Sequence, residues 1–280
     1  MIFVKEINWY PIKGCAPYSR NTDWLVVDDG GIWGNRWWVI VDGEGRMVNQ
    51  KTVRKMCLVS PSLLGGTLCV ECKEGEAIER AYVPVGADLR EEIQVSFRGT
   101  ILPGLIEKGS VSEMLSNFLC GKYRLVQLAE PRMAKTGTAQ RRGDDSHPFL
   151  FISEGSLEDL NTRLETPVRM DAFRPTIVLS GCEPYEEDLL DEFQIGKVLF
   201  EGQTLCVRCN VPGIDQKTGL SRERGDGIHP FDTLQTYRRT SKGPVLGRNA
   251  NHLTCGVIQE GDSLIVQKRR EGVLDLESMV

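Results

Sequence analysis

The chain is short of several things, and each shortage removes a class of function. No run approaches the roughly 18 consecutive apolar residues that a bilayer-spanning helix needs; the longest apolar stretches, such as Trp37 to Val41, are strand-sized. Positive charge is not in excess: 34 lysines and arginines against 39 aspartates and glutamates give a net charge of −5, with a pI near 5.5. That argues against nucleic-acid binding, which needs a broad basic face, and leaves room only for a local basic pocket. Histidine is scarce, with 3 in 280 residues, and no two have the spacing of a metal-ligand pair. His147, His229 and His252 read as structural or exposed. No Gly-x-Gly-x-x-Gly fingerprint follows a strand-like run, and no ferredoxin-type cysteine spacing occurs, so neither a dinucleotide nor an iron–sulfur cluster has a recognisable site. The start, Ile2-Phe3-Val4 followed by Lys5 and Glu6, resembles neither a secretory signal nor an Arg-rich transit peptide. The end, Glu277-Ser278-Met279-Val280, matches no address or lipid-attachment motif. A cytoplasmic protein without a membrane anchor is expected.

What is present is an ordinary globular composition, 40% hydrophobic and 26% charged, long enough for one large domain or two. Nine cysteines, an odd number in a chain without a secretion signal, read as reduced thiols rather than a disulfide framework. The pattern is mostly β. Trp37 to Val41, Asp42-Gly43 and Arg46 to Val48 read as a hairpin; Thr67 to Cys72 and Val95 to Leu102 read as strands. Helices are fewer. Ser110-Val111-Ser112-Glu113 and Ser156-Leu157-Glu158-Asp159 look like capping boxes. Glu186 to Phe193 and Asp232 to Arg239 read as short helices. Residues 130–146 are polar and read as a long loop, which divides the chain at 127/128 into two domains, 1–127 and 128–280. Asp144-Asp145 and Glu186-Glu187-Asp188 read as solvated acids.

Two Cys-x-x-Cys pairs carry possible chemistry: Cys69 with Cys72, and Cys206 with Cys209. A four-thiolate zinc site favours this spacing, but the pairs lie far apart in the chain, and residues three apart on a strand point to opposite faces. Cys69 and Cys72 read as a strand with one small apolar side chain facing in. Cys209 is different in context. It follows Arg208 at a strand end, before the Val211-Pro212-Gly213 turn and a second turn, Asp215 to Gly219. A cation beside a thiol favours the thiolate, a soft ligand for transition metals. On spacing alone, Cys209 reads equally as a half-buried thiol and Arg208 as a surface residue.

Several stretches resemble a known family. Pro148 to Asn161, Phe173-Arg174-Pro175-Thr176-Ile177-Val178, Ser180-Gly181-Cys182, Glu187-Asp188, Arg208-Cys209, Asp215 with Thr218-Gly219, Thr233-Leu234, Tyr237-Arg238, Gly247 to Asn249 and Gly261-Asp262 together resemble the molybdenum cofactor sulfurase C-terminal (MOSC) domain, in the branch of the amidoxime-reducing components. Tyr10-Pro11-Ile12-Lys13-Gly14-Cys15 and Asn35 to Asp42 resemble the β-rich domain that precedes it there. The resemblance implies an α+β, mostly β chain: a MOSC β-barrel domain behind a β-rich MOSC N-terminal domain.

It also implies a site. Cys209 matches the family's molybdenum ligand and is expected to be both metal ligand and catalytic residue. Lys13 and Arg36 match residues that hold the phosphate of the molybdenum cofactor (Mo-molybdopterin), and Arg174 one that contacts the pterin. Asp145 aligns loosely with a cofactor contact. Gly14, Thr176 and Arg208 complete the expected cofactor-binding set. Gly14 replaces a family serine, Thr176 an asparagine, and Asn35 an aspartate. The implied activity is an oxidoreductase that reduces N-oxygenated compounds (amidoximes, hydroxylamines, N-oxides) with electrons from a separate cytochrome b5-type or ferredoxin-type protein. The alternatives are a non-catalytic cofactor carrier or a sulfur-transfer module, and a zinc-stabilised binding protein.

Overall fold

The computed structural model describes residues 1–18, 24–84, 90–129, 131–137, 139–141 and 143–270. Twenty strands and three α-helices of eight or nine residues are assigned among them, so the chain is mostly β, as expected. No helix among the described residues is long and apolar enough to cross a membrane.

The larger sheet has the strand order Phe3–Ile7, Ile177–Ser180, Phe149–Ser153, Gly243–His252, Val198–Val207, Leu190–Ile195 and Leu264–Arg269, with Arg239–Thr240 beside Gly243–His252. Its edges meet. Phe3 bridges Ser263, Val4 N donates to Asp262 O at 2.9 Å, and Leu264 N donates to Ile2 O at 2.9 Å. The first strand of the chain therefore closes a barrel built from the second half, which removes the open edges that would otherwise pair with other chains. The one parallel pair in the sheet, Phe149–Ser153 with Ile177–Ser180, needs a crossover, and the helix Glu154–Asn161 lies in it. Alternate side chains of Val198–Val207 point inward, the period-2 habit of a strand. Phe149, Phe151, Phe193 and Phe200 fill the interior edge to face and stacked.

The first half forms a second core. One sheet runs Trp38–Asp42, Tyr123–Leu128, Thr100–Glu107, Arg90–Phe97; another runs Val59–Leu64, Thr67–Glu74, Ala77–Pro84. Trp38, Ile40 and Leu125 from the first pack with Leu68, Val70 and Val83 from the second, and with Val111, Met114 and Leu115 of the helix Ser110–Phe118. Cys72 is buried in this cluster and Cys69 is half-exposed, the one-in, one-out arrangement expected of that strand.

Several local expectations need correction. Residues 95–102 are not one strand: Arg90–Phe97 and Thr100–Glu107 pair as a hairpin, and Arg98, in the left-handed region at φ 49°, takes part in the turn. The helix at 110 is capped from outside the expected box. Gly109 is its N-cap, without a side-chain cap, and the Glu107 carboxylate reaches forward to accept from Gly109 N and Ser112 N. At the next helix the cap is Ser153, which accepts from Ser156 N at 3.1 Å. Glu186 to Phe193 is a 3-10 turn, Glu186–Leu189, running straight into the strand Leu190–Ile195. Between 130 and 146 lies a hairpin, Arg132–Met133 with Arg141 and Gln140 as partners; Glu130, Thr138 and Arg142 fall outside the described residues.

Three of the five acids expected to be solvated are buried. Glu187 and Asp188 are fully buried. Glu187 accepts from both Ser153 N and Oγ and from Ser156 Oγ, and Asp188 pairs with buried Arg238. Burial, with Asp188 alongside, raises the Glu187 carboxyl to about 7. These acids lie in a short turn that the barrel covers, so their environment comes from packing that local polarity does not reveal. Asp144 is likewise buried.

Candidate functional site

A cavity of about 180 Å³ opens between the two cores. Every residue expected at the site lines it: Lys13, Gly14, Arg36 from the first half, and Asp145, Arg174, Thr176, Arg208, Cys209 from the second. Sequences so far apart meet here because the first strand belongs to the second barrel, which brings the Tyr10–Cys15 turn over the ends of Ile177–Ser180 and Val198–Val207.

Tyr10 is the centre of the basic wall. It is fully buried, its hydroxyl donates to Pro175 O at 3.1 Å, and its ring carries the Arg174 guanidinium at 4.4 Å and that of Arg36 at 5.6 Å. Such stacking positions a planar cation while leaving its edge free. Arg36 Nη1 donates to Asp144 at 2.7 Å, and Arg174 Nη1 to Cys15 O at 2.6 Å. Arg36 Nε, Arg174 Nη2 and Arg208 Nε are buried with no hydrogen-bond partner. Arg36 and Arg174 both hold positive φ, 52° and 58°, a conformation that costs a non-glycine residue about 1–2 kcal/mol. Strain and unsatisfied donors in one wall are the marks of a built binding site.

Lys13 is buried, beneath the Phe97 ring at 5.0 Å, and donates to Asp145 at 2.9 Å. Burial lowers its ammonium to about 8, against the attraction of Asp145. Asp145 is half exposed at the rim and also faces Arg98 at 3.4 Å. Burial pushes its carboxyl up, but Lys13 and Arg98 outweigh that and hold it below the usual carboxylate range. Asp144 behaves oppositely: burial raises its carboxyl despite Arg36. Asn35 donates to Asp144 at 3.3 Å while accepting from Tyr10 N at 2.9 Å. An aspartate at 35 would set two carboxylates against each other, so the asparagine suits its buried neighbour. Gly14 has φ 84°, in a region that glycine adopts without steric cost; its role is the turn itself.

Cys209 lies just beyond the strand Val198–Val207, half-buried, ahead of the turn Val211–Gly213. The turn is held by His229, which packs so closely on Gly213 that a Cβ there would collide with its ring. His229 also caps the helix Pro230–Tyr237 by accepting from Phe231 N. Arg208 does not serve Cys209 as the sequence suggests. Its Nη1 donates to Cys206 Sγ at 3.1 Å, its Nη2 to Phe173 O at 2.7 Å, and it lies over the Phe173 ring. Thr176 spends its hydroxyl on Leu150, accepting from the amide at 2.7 Å and donating to the carbonyl at 3.0 Å, and so fastens the wall. Asp215 accepts from the amides of Lys217 and Thr218, so it builds the expected turn.

Sequence reasoning missed Gln50, Phe97 and Arg98. Gln50 and Gln216 exchange amide hydrogen bonds at 3.1 and 3.0 Å, and Gln50 also donates to Gly14 O at 2.8 Å, which ties the Lys13 turn to the Cys209 loop. Nothing local marks a glutamine for that task. The three histidines are all buried: none is exposed, and His147 lines the cavity. Among the described residues no three His, Cys, Asp or Glu side chains cluster as a metal-ligand group, and the strand that holds Cys69 and Cys72 belongs to a different sheet from the one that holds Cys206.

The balance of charge sets the cavity's chemistry. Lys13, Arg36, Lys51, Arg98, Arg174 and Arg208 line it against one carboxylate, Asp145, in a protein of net charge −5. Such a site takes an anion. Its soft donors are thiols, with Cys209 at a turn beside the clamp. Cysteine sulfur beside an anion clamp suits a metal carried by an anionic organic group better than an all-protein metal cage.

Family models match both halves: the MOSC N-terminal beta barrel domain over residues 1–122 and the MOSC domain over residues 138–265. Over 281 residues the chain is 30% identical to the human mitochondrial amidoxime-reducing component 1, covering 92% of this chain and 81% of the relative. The Xenopus laevis component 1 is 28% identical over 92% of this chain and 80% of its own. The rat component 2 is 31% identical over 84% of this chain and 72% of its own.

Proposed function

The chain belongs to the MOSC family of the amidoxime-reducing components, and on that premise we propose that it binds the molybdenum cofactor in the cavity and reduces N-oxygenated compounds there. The observation that carries the reading is the clamp: six cations against one carboxylate, with guanidinium nitrogens of Arg36, Arg174 and Arg208 left without partners. Lys13, Arg36 and Arg174 would hold the cofactor's phosphate and pterin, and Cys209 would ligate its metal. Asp145 orients Lys13 at the rim, Gly14 gives the turn its close approach, and Thr176 and Arg208 shape the wall.

When bound, the cofactor supplies two-electron reduction of an N–O group, which with two protons yields water and the deoxygenated compound, an N–H compound from an N-hydroxylated substrate and a tertiary amine from a tertiary N-oxide. The protein's share is binding, orientation and exclusion of water. The Gln50–Gln216 exchange holds the clamp and the Cys209 loop in one frame. Arg208 fixes Cys206 and Phe173 beside them. The electrons come from a separate protein of cytochrome b5 or ferredoxin type. The division into two domains at 127/128 belongs to the same proposal, with the first strand of the chain pairing into the sheet of the second half. A cytoplasmic location belongs to the same proposal; fractionation of the native host tests it, the relatives being named for mitochondria.

The test is elemental analysis of protein from a host that makes the cofactor, with Cys209→Ala alongside, followed by benzamidoxime turnover with a chemical reductant. The expected result is near-stoichiometric molybdenum, lost in the variant, and turnover by the holoprotein. Molybdenum retained in Cys209→Ala moves the ligand elsewhere, with Cys206 next in line. Molybdenum without turnover favours a carrier or sulfur-transfer module. No molybdenum in either protein overturns the reading.

A further inference from the structure

His147 stands out in this cavity because it is an acceptor among donors. Its side chain is buried, the residue 4% exposed, and it lines the cavity. Its tautomer follows from its neighbours. Asn251 Nδ2 donates to Thr136 O at 2.8 Å; a carbonyl only accepts, so the Asn251 amide is fixed with Oδ1 turned the other way. That oxygen lies 3.3 Å from His147 Nδ1, which must therefore carry the hydrogen. Nε2 is left as a buried lone pair without a partner. Burial lowers the imidazole to about 4, with Arg141, Lys135 and Arg248 adding to the effect, so the ring is neutral near pH 7. The hairpin 132–141 secures the arrangement: Lys135 N donates to Ser146 O at 2.9 Å, and Thr136 Oγ1 donates to Gln203 at 2.6 Å.

A fully ionised phosphate offers this nitrogen nothing, because it has no hydrogen to donate. The cations of the wall are donors, but none of them lies within hydrogen-bond distance of Nε2 among the described residues. We propose that His147 is a specificity-determining residue, whose Nε2 accepts a hydrogen bond from the N–H or O–H of an N-hydroxylated substrate. Amidoximes and hydroxylamines carry that donor; tertiary N-oxides do not. The inference rests on the reading of the cavity as a reductase site and sharpens its substrate class.

Two measurements test it. In protein with ¹⁵N-labelled histidine, NMR should show His147 as the neutral Nδ1–H tautomer. Its Nε2 resonance should move upfield with benzamidoxime and stay in place with trimethylamine N-oxide. In kinetics, His147→Phe should lower kcat/KM for benzamidoxime roughly tenfold, the effect of one lost neutral hydrogen bond, through KM, while leaving trimethylamine N-oxide reduction and molybdenum content unchanged. His147→Gln, which restores an acceptor, should recover most of the loss. An Nε2 resonance indifferent to benzamidoxime overturns the proposal whether or not the protein turns over. So does an equal loss for both substrates, or a loss of molybdenum in His147→Phe, which would make the donor the cofactor itself. Absence of turnover in every protein, with the NMR response intact, would sink the reductase reading and leave His147 as a recognition residue.

Discussion

The buried lysine gives the cavity a pH signature that can be calculated. In the free protein the Lys13 ammonium is lowered by burial from 10.5 to about 8, with Asp145 and Asp144 pulling it up and Arg36 pushing it down. An anion bound against it favours the charged form and returns its value toward the ordinary one. Between the free and bound values, binding takes up a proton, so the dissociation constant rises up to tenfold per pH unit. Affinity is therefore fully present below about pH 8 and is lost as pH rises through it, roughly tenfold weaker at pH 9 than at pH 7 by this linkage. Sulfate is the useful probe, because its own charge is constant over this range. Titration calorimetry at pH 7, 8 and 9 reads the slope directly. Lys13→Met is expected to bind more weakly at pH 7 and to lose the slope, which assigns the slope to Lys13 itself. A flat wild-type profile, or a slope that survives in Lys13→Met, would refute the assignment of Lys13 as the clamp's titrating cation.

Two further perturbations probe the frame around the site. Removing Arg238 from its buried pair with Asp188, whose side chains are 7% and 1% exposed, leaves an uncompensated carboxylate next to Glu187, and Arg238→Leu should cost about 3–5 kcal/mol in urea unfolding. The loss should be smaller at pH 5.5 than at pH 8, since burial already raises the Asp188 carboxyl and protonation relieves the charge; a pH-independent loss would show that packing alone is responsible. Gln50→Ala breaks the exchange with Gln216 and the bond to Gly14 O. It should cost about 1–2 kcal/mol of stability and weaken sulfate binding several-fold; an unchanged sulfate affinity would mean that the Lys13 turn keeps its place without the second half.

Strand content, the hairpin at Asp42-Gly43, the turn at 215–219 and a helix expected at Asp232 to Arg239 and found at Pro230–Tyr237 were legible in the sequence, because each rests on local signals: period-2 alternation, turn residues, an amphipathic stripe. The clamp residues were legible only through resemblance, since an isolated Lys13 or Arg36 has nothing in its neighbours to distinguish it from surface charge. Local signals also misled. Ser110 and Ser156 looked like helix caps, but Glu107 and Ser153 do that work, because which side chain reaches an open amide depends on how the preceding strand arrives. Asp144, Glu187 and Asp188 looked solvated because acids in turns usually are; their burial follows from a barrel closing over them.

What the sequence determined by itself is therefore the kind of element along most of the chain and the cast of side chains available. Tertiary structure decided which of them meet. The first strand, near the start of the chain, closes a barrel made from its second half, and that long-range pairing carries Lys13 and Arg36 across to Arg174 and Cys209. It also decided that Arg208 contacts Cys206, that Gln50 locks to Gln216, and that Asn251 fixes which nitrogen of His147 is left without a partner. Each is a contact between residues that share no local pattern, set by the distance and direction in which folded backbones present them.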